Sequence, residues 1–193
     1  MRSIRSLNGS SLDHHFAMLF LMTYAFLLRM PSEAIPARAR VGERCLRLER
    51  GSLVLHLSRR KNKPEGSRLV RGCWCKESKT TCPLHVLGPW LEDCTDGSPL
   101  FPSVTAAGAL RVLRTMLADL AFPHAAEYRT HDFRRGHAKD LQVSGRRLCC
   151  FFRFSVDHHD KKNKIHLPTF TITRLYRRLF KCSNLPCKRK ILS

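Results

Sequence analysis

From Phe16 to Leu28 the chain is apolar or aromatic at every position except Thr23. As a helix, this run rises 1.5 Å per residue and spans about 20 Å, well short of the ~30 Å hydrocarbon core of a bilayer. Arg2 and Arg5 precede it, as basic residues precede the apolar core of an export signal. However, Asp13, His14 and His15 separate those charges from the run, Arg29 closes it, and no small-x-small cleavage pattern follows. A helix that is apolar nearly all round has to be enclosed by other elements. A helix over residues 13–29 is therefore expected at the centre of a core, with no membrane partner. Residues 1–12 are polar and Ser-rich, and read as a disordered N-terminus.

Pro31 and Pro36 break the helical pattern, and Pro31-Ser32-Glu33 suits the first turn of a short following helix. Residues 45–49 and 52–58 alternate apolar and polar around Arg50-Gly51, the pattern of a hairpin. A basic turn over 59–67 contains Pro64-Glu65-Gly66, and Ser67 to Trp74 can return as a third strand. Pro83 to Leu91 reads as a short helix, and Asp96-Gly97-Ser98-Pro99 as a turn. Thr105 to Ala121 forms an amphipathic helix with Leu110, Leu113, Leu117 and Leu120 on one face. Pro123 ends it. Thr130 is the expected N-cap of a helix from about His131 to Val143, closed by Ser144-Gly145. After Gly145 the periodicity is lost, and Phe170 to Phe180 fits a strand or a helix. The expected fold is α+β: mainly α-helical, with a small antiparallel three-stranded sheet. One core is expected over residues 13–145, followed by a divergent basic tail over 146–193.

Lys and Arg number 35 against 15 Asp and Glu, a formal charge of +20. So large a surplus disfavours compaction unless counter-charge arrives, and nucleic-acid phosphates supply it with counterion release. The nine cysteines are odd in number, which argues against a secreted disulfide framework and for reduced thiols inside a cell. Cys73-Trp74-Cys75 and Cys82-Pro83-Leu84-His85 supply three sulfurs and an imidazole, a set able to make a closed tetrahedral zinc site of structural role. The alternative is a group of buried reduced cysteines packed around Trp74 and Trp90.

The chemistry-bearing segment runs from Tyr128 to Gly145. It contains His131-Asp132-Phe133-Arg134-Arg135-Gly136-His137-Ala138, then Leu141 and Ser144-Gly145. His131 and Arg134 fall on neighbouring positions of one helical face near its N-terminus, where a phosphate is already favoured. A forked guanidinium and an imidazole add a phosphate clamp and a proton carrier. Upstream stands Phe26-Leu27-Leu28-Arg29-Met30-Pro31-Ser32-Glu33-Ala34, and between the two lies the basic turn Ser58-Arg59-Arg60-Lys61-Asn62-Lys63-Pro64.

In this order the three segments resemble the signature boxes of tyrosine recombinases, especially those of eukaryotic mobile elements. The resemblance covers roughly residues 15–145. It implies a catalytic core in which a buried helix delivers Arg29, with Glu33 as its supporting acid one residue later than the commoner spacing. It also implies a hairpin carrying a catalytic Lys, Lys61 or alternatively Lys63, and a helix presenting His131 and Arg134. Arg59, Arg60, Lys63, Arg135 and His137 would contact the DNA.

The implied reaction is DNA recombination and integration by strand exchange through a 3′-phosphotyrosine, with no metal required. Two guanidiniums would stabilise the phosphoryl charge, His131 would move a proton and Lys61 would protonate the leaving 5′ oxygen. The sequence carries no Asp/Glu cluster suited to a two-metal nuclease. The family nucleophile is a Tyr near the C-terminus, and here Tyr176 takes that role, 42 residues after Arg134 and later than in the family. His158 and His159 fall near the place of the family's phosphate-binding His or Trp, in surroundings unlike its pattern. The chain is thus expected to be a C-terminally divergent or truncated member. Without the N-terminal helical domain that completes the family's clamp, its hold on DNA is expected to be weak.

A second expectation is a non-catalytic DNA-binding remnant of the same fold, zinc-stabilised. A third is a basic zinc-binding nucleic-acid module of another kind, which requires Arg29 and Arg134 to lie far apart. Expected partners are double-stranded DNA and further copies of the chain on it. Lys188-Arg189-Lys190 and the DNA reading point to the nucleus.

Overall fold

The computed structural model describes residues 11–61, 63–75 and 82–143. The first ten residues, Ser144-Gly145 and the tail over 146–193 lie outside them, and with the tail Tyr176, His158, His159 and Phe170 to Phe180.

The first helix, α1 (Ser11–Phe26), is enclosed as its composition requires. Phe16, Leu19, Phe20, Met22, Ala25 and Phe26 are all buried. It ends three residues earlier than expected. Leu27 turns left-handed at φ +57°, and Leu28 N–H bonds back to the Thr23 carbonyl at 3.0 Å, the six-to-one closure of a Schellman-type stop. A left-handed leucine costs about 1 kcal/mol. Leu27 and Leu28 both reach the interior, which offsets that cost. One π-helical turn follows, Met30–Ala34, with Pro31 in its opening positions.

The sheet has four strands in the order β1 (Arg38–Ala39), β2 (Arg44–Glu49), β3 (Ser52–Leu57), β4 (Ser67–Arg71). Of the three expected strands, β2 and β4 each pair antiparallel with β3, and β1 adds a parallel edge on β2 with Ala39 opposite Leu46. The sheet is therefore mixed and four-stranded, not the antiparallel three-stranded one expected. Two residues show no periodicity, so β1 has no sequence signature. It exists because the 96–100 turn grips it: Ala39 N–H bonds to Ser98 O at 2.9 Å and Gly97 N–H to Ala39 O at 2.8 Å. Arg50 and Gly51 both take positive φ, +47° and +68°. That is the primed turn which matches strand twist and lets Glu49 face Ser52.

The second helix, α2 (Pro83–Glu92), begins after Cys82. At its far end the Arg40 guanidinium bonds the carbonyls of Leu91 and Cys94 and pairs with Asp96. The last carbonyls of a helix have no intrahelical donor, and a cation there also suits the helix dipole. Helix α3 (Ala106–Asp119) is capped by Thr105, whose hydroxyl accepts from Gly108 N–H at 3.0 Å. Its core face is Ala109, Leu113, Met116 and Leu117, rotated from the expected stripe, so that Leu110 and Leu120 are only half buried.

After a 3-10 turn, Ala125–Glu127, the chain enters α4 (Asp132–Val143). Asp132 reaches back to accept from Arg129 N–H at 2.7 Å, so the opening turn is closed by this carboxylate. Phe133 is fully buried and stacks on Phe20 with centroids 5.2 Å apart. That contact docks α4 on α1. Helices α2 and α4 and strand β4 all pack on α1, and no helix among the described residues is long and apolar enough to cross a membrane.

Candidate functional site

Arg29 is extended (φ −84°, ψ 112°) between α1 and the π-turn. It therefore leaves the end of the buried helix and is not part of it. Its backbone is held from both sides: Arg29 N–H donates to Glu33 Oε2 at 2.8 Å, and Glu33 N–H donates to Arg29 O at 2.8 Å. The π-turn thus folds Glu33 back over Arg29. The spacing of four residues is what this turn needs.

The Glu33 carboxylate is itself buried, 3% exposed. It accepts Arg60 Nε at 3.1 Å on one oxygen and Arg60 Nη2 at 3.3 Å on the other. This forked pair joins segments 27 residues apart. Arg60, expected as a DNA contact on a solvated turn, instead turns its side chain inward, 7% exposed. Its backbone closes the turn, with Arg60 N–H bonded to Lys63 O at 2.9 Å and Lys63 N–H to Arg60 O at 3.1 Å. Arg59, Lys61 and Lys63 stay exposed around this anchor.

Burial lowers the Arg134 pKa, the guanidiniums of Arg60 and Arg29 lower it further, and Glu33 opposes them. His131 keeps an exposed edge. Partial burial is nevertheless the largest cause pulling its pKa below 6.5, followed by Arg135 and Arg134, with Asp132 opposing and Arg29 adding a smaller push. Arg134 thus feels Arg29, Arg60 and Glu33, and His131 feels Arg134 and Arg29. Arg135 leans on the buried Asp132 carboxylate at 3.4 Å. His137 lies on α4, with its side chain outside what is described.

The arrangement has more guanidiniums than carboxylates, so it favours an anion. Two forked cations can grip a phosphate, and a neutral imidazole can accept a proton. Both tyrosines of the described residues, Tyr24 and Tyr128, are buried at 4% and 5% exposure, and Tyr176 lies outside those residues.

Arg71 belongs to none of the motifs visible in the sequence. It is 2% exposed, bonds the Ala25 carbonyl through Nε, and lies 5.5 Å above the Phe26 ring centroid. Burial pulls its pKa down to about 10. It fixes the end of α1 from which Arg29 departs. Strand parity carries the signal that could have found it, since Arg71 falls two residues after the buried Leu69 and so on the same face.

The other cluster stands apart. Cys73 and Cys75 follow β4, while Cys82 and His85 open α2, and their four ligand atoms all lie within 4.8 Å of one another. This is a group with the spacing to hold a metal ion.

No family model, curated protein or solved structure gives a significant match to this chain.

Proposed function

We propose that the chain is a DNA-binding catalytic core of tyrosine-recombinase type, which cuts and rejoins double-stranded DNA through a phosphotyrosine. The observation that carries this reading is the gathering of Arg29, Arg134 and His131 from segments more than a hundred residues apart. Separation of the two arginines, as the unrelated zinc-module alternative requires, is not what their mutual electrostatics describe.

The resemblance assigns each residue a role. Arg29 and Arg134 bind the non-bridging oxygens of the scissile phosphate and stabilise the charge that grows there. Burial, Arg135 and Arg134 lower the His131 pKa, which favours the neutral ring that takes a proton from the attacking hydroxyl. Lys61 stands exposed on the turn that Arg60 anchors, and protonates the departing 5′ oxygen, with Lys63 as the alternative donor. Arg59, Lys63 and Arg135 hold flanking phosphates. Tyr176 is the nucleophile by resemblance. Copies of the chain assemble on DNA in the nucleus. The Cys73, Cys75, Cys82 and His85 cluster takes no part in this chemistry, because a tetrahedral ion held there has all four positions filled by protein.

The experiment is a nicked suicide DNA substrate incubated with the purified chain and examined for a covalent adduct on a denaturing gel. The proposal expects an adduct that is lost in Arg134→Ala and in Tyr176→Phe. No adduct, together with salt-sensitive DNA binding weakened by Arg134→Ala, would reduce the function to DNA binding alone. DNA binding indifferent to Arg29→Ala and Arg134→Ala would overturn both.

A further inference from the structure

We infer that Cys73, Cys75, Cys82 and His85 bind one zinc ion through three sulfurs and His85 Nδ1, and that this ion clamps the exit of β4 to the first turn of α2. The inference is independent of the DNA reading.

Three sulfurs crowd one nitrogen. Cys73 Sγ lies 3.7 Å, Cys75 Sγ 3.1 Å and Cys82 Sγ 3.2 Å from the same atom, His85 Nδ1. A neutral imidazole nitrogen has a single lone pair and accepts one hydrogen bond. That lone pair can engage only one of the three converging sulfurs at a time. A cation at the centre of the four atoms satisfies all of them at once.

The spacing agrees with that cation. Bonds of about 2.3 Å to sulfur and 2.0–2.1 Å to nitrogen in a tetrahedron put sulfurs about 3.8 Å apart and sulfur about 3.5 Å from nitrogen. Cys82 Sγ and Cys73 Sγ are 3.9 Å apart, and the three sulfur–nitrogen distances straddle the second value. Three soft sulfurs and an imidazole select zinc over magnesium or calcium, which take oxygen ligands.

The surroundings suit thiolates. Trp74 N–H points at Cys82 Sγ at 3.1 Å and Cys75 N–H at Cys73 Sγ at 3.4 Å. Backbone donors of this kind stabilise charged sulfur and orient it toward a metal. Trp74, between two ligands, packs against the core, so the loop is fixed on its inner side as well.

The position gives the ion its consequence. Cys73 follows Arg71, the residue that holds the end of α1, and His85 stands on a helix that packs against α1 and the sheet. Binding a closed ion there ties the exit of β4 to the start of α2.

The test uses the full chain, produced without a metal-binding tag and dialysed free of loose metal. Metal content is read by plasma mass spectrometry, and cobalt exchange by absorption. One zinc per chain is expected, with sulfur-to-cobalt charge-transfer bands after exchange. Cys82→Ser and His85→Ala are expected to lose stoichiometric zinc. His85→Cys should keep the ion with a shifted cobalt spectrum, and Cys94→Ser, outside the cluster, should keep it unchanged. A wild-type chain that binds no zinc and gives no thiolate–cobalt bands would overturn the inference. So would full zinc content in both Cys82→Ser and His85→Ala.

Discussion

Replacing Arg60 by Met removes the cation that forks onto Glu33 while keeping most of the side-chain volume. The pair is almost fully enclosed, with side-chain exposures of 6% and 4%. At the 3.1 Å separation of Arg60 Nε and Glu33 Oε1, an effective dielectric near 20 gives a gross attraction of about 5 kcal/mol. Desolvation of both ions offsets much of this in the intact protein, but the loss of one partner leaves the other charge buried. Measured losses of that kind run about 3–5 kcal/mol. The Glu33 carboxylate would keep the Arg29 N–H but lose both guanidinium donors, so the upper part of that range is expected. With a urea slope of about 2 kcal/mol per molar, the midpoint should fall by roughly 2–2.5 M. Arg59→Met, the exposed neighbour, should stay within about 0.5 kcal/mol. The double variant Glu33→Gln with Arg60→Met should recover part of the loss, because no lone charge remains. Equal midpoints for Arg60→Met and Arg59→Met would refute the claim that this pair anchors the turn.

Other consequences are as direct. Gly66 sits at φ +84°, and the carbonyl oxygens of Leu57 and Ser58 crowd the place where a Cβ would stand, the latter at 2.8 Å, so Gly66→Ala should destabilise by several kcal/mol. Gly51→Ala, also at positive φ but with nothing within 4 Å, should cost only about 1 kcal/mol, and thermal melts of the two compared will show the gap. The folded His131 pKa lies below 6.5. The unfolded chain therefore binds more protons than the folded one as pH drops from 7, and stability should fall through that window. Denaturation midpoints between pH 7.5 and 5 will measure it, and His131→Gln should remove this residue's share of the slope. Arg134→Ala should weaken DNA binding across sequences and reduce the salt slope by about 0.9, the share of one phosphate contact, as read from titrations at several salt concentrations.

The elements with strong local patterns are legible in the sequence itself. The helix over Phe16 to Phe26 has no polar face that could disguise its burial, and Arg50-Gly51 between two alternating runs permits little besides a hairpin. Thr105 ahead of an amphipathic run marks its own N-cap. The boundaries that local pattern misplaces share a physical cause. Leu27 stops α1 in a left-handed conformation that glycine usually supplies, and its burial rewards what its backbone disfavours. Strand β1 is held by a turn some sixty residues later in the chain, and no window of sequence around Arg38 contains that partner.

The candidate site divides along the same line. His131 stands one residue before α4 and Arg134 lies in its first turn, so their spacing alone puts them close together. The basic turn is different. Arg59, Arg60, Lys61 and Lys63 are chemically similar in sequence, and which of them faces inward depends on where a carboxylate waits in the folded chain. Glu33 supplies that carboxylate from the π-turn and selects Arg60. The selection has a functional side. An inward arginine neutralised by Glu33 contributes rigidity to the turn, and leaves Arg59, Lys61 and Lys63 exposed on a fixed backbone. A cation held on such a turn loses less conformational entropy on meeting a phosphate than one on a loose loop, so under the proposed function the buried pair would prepare the exposed charges for DNA.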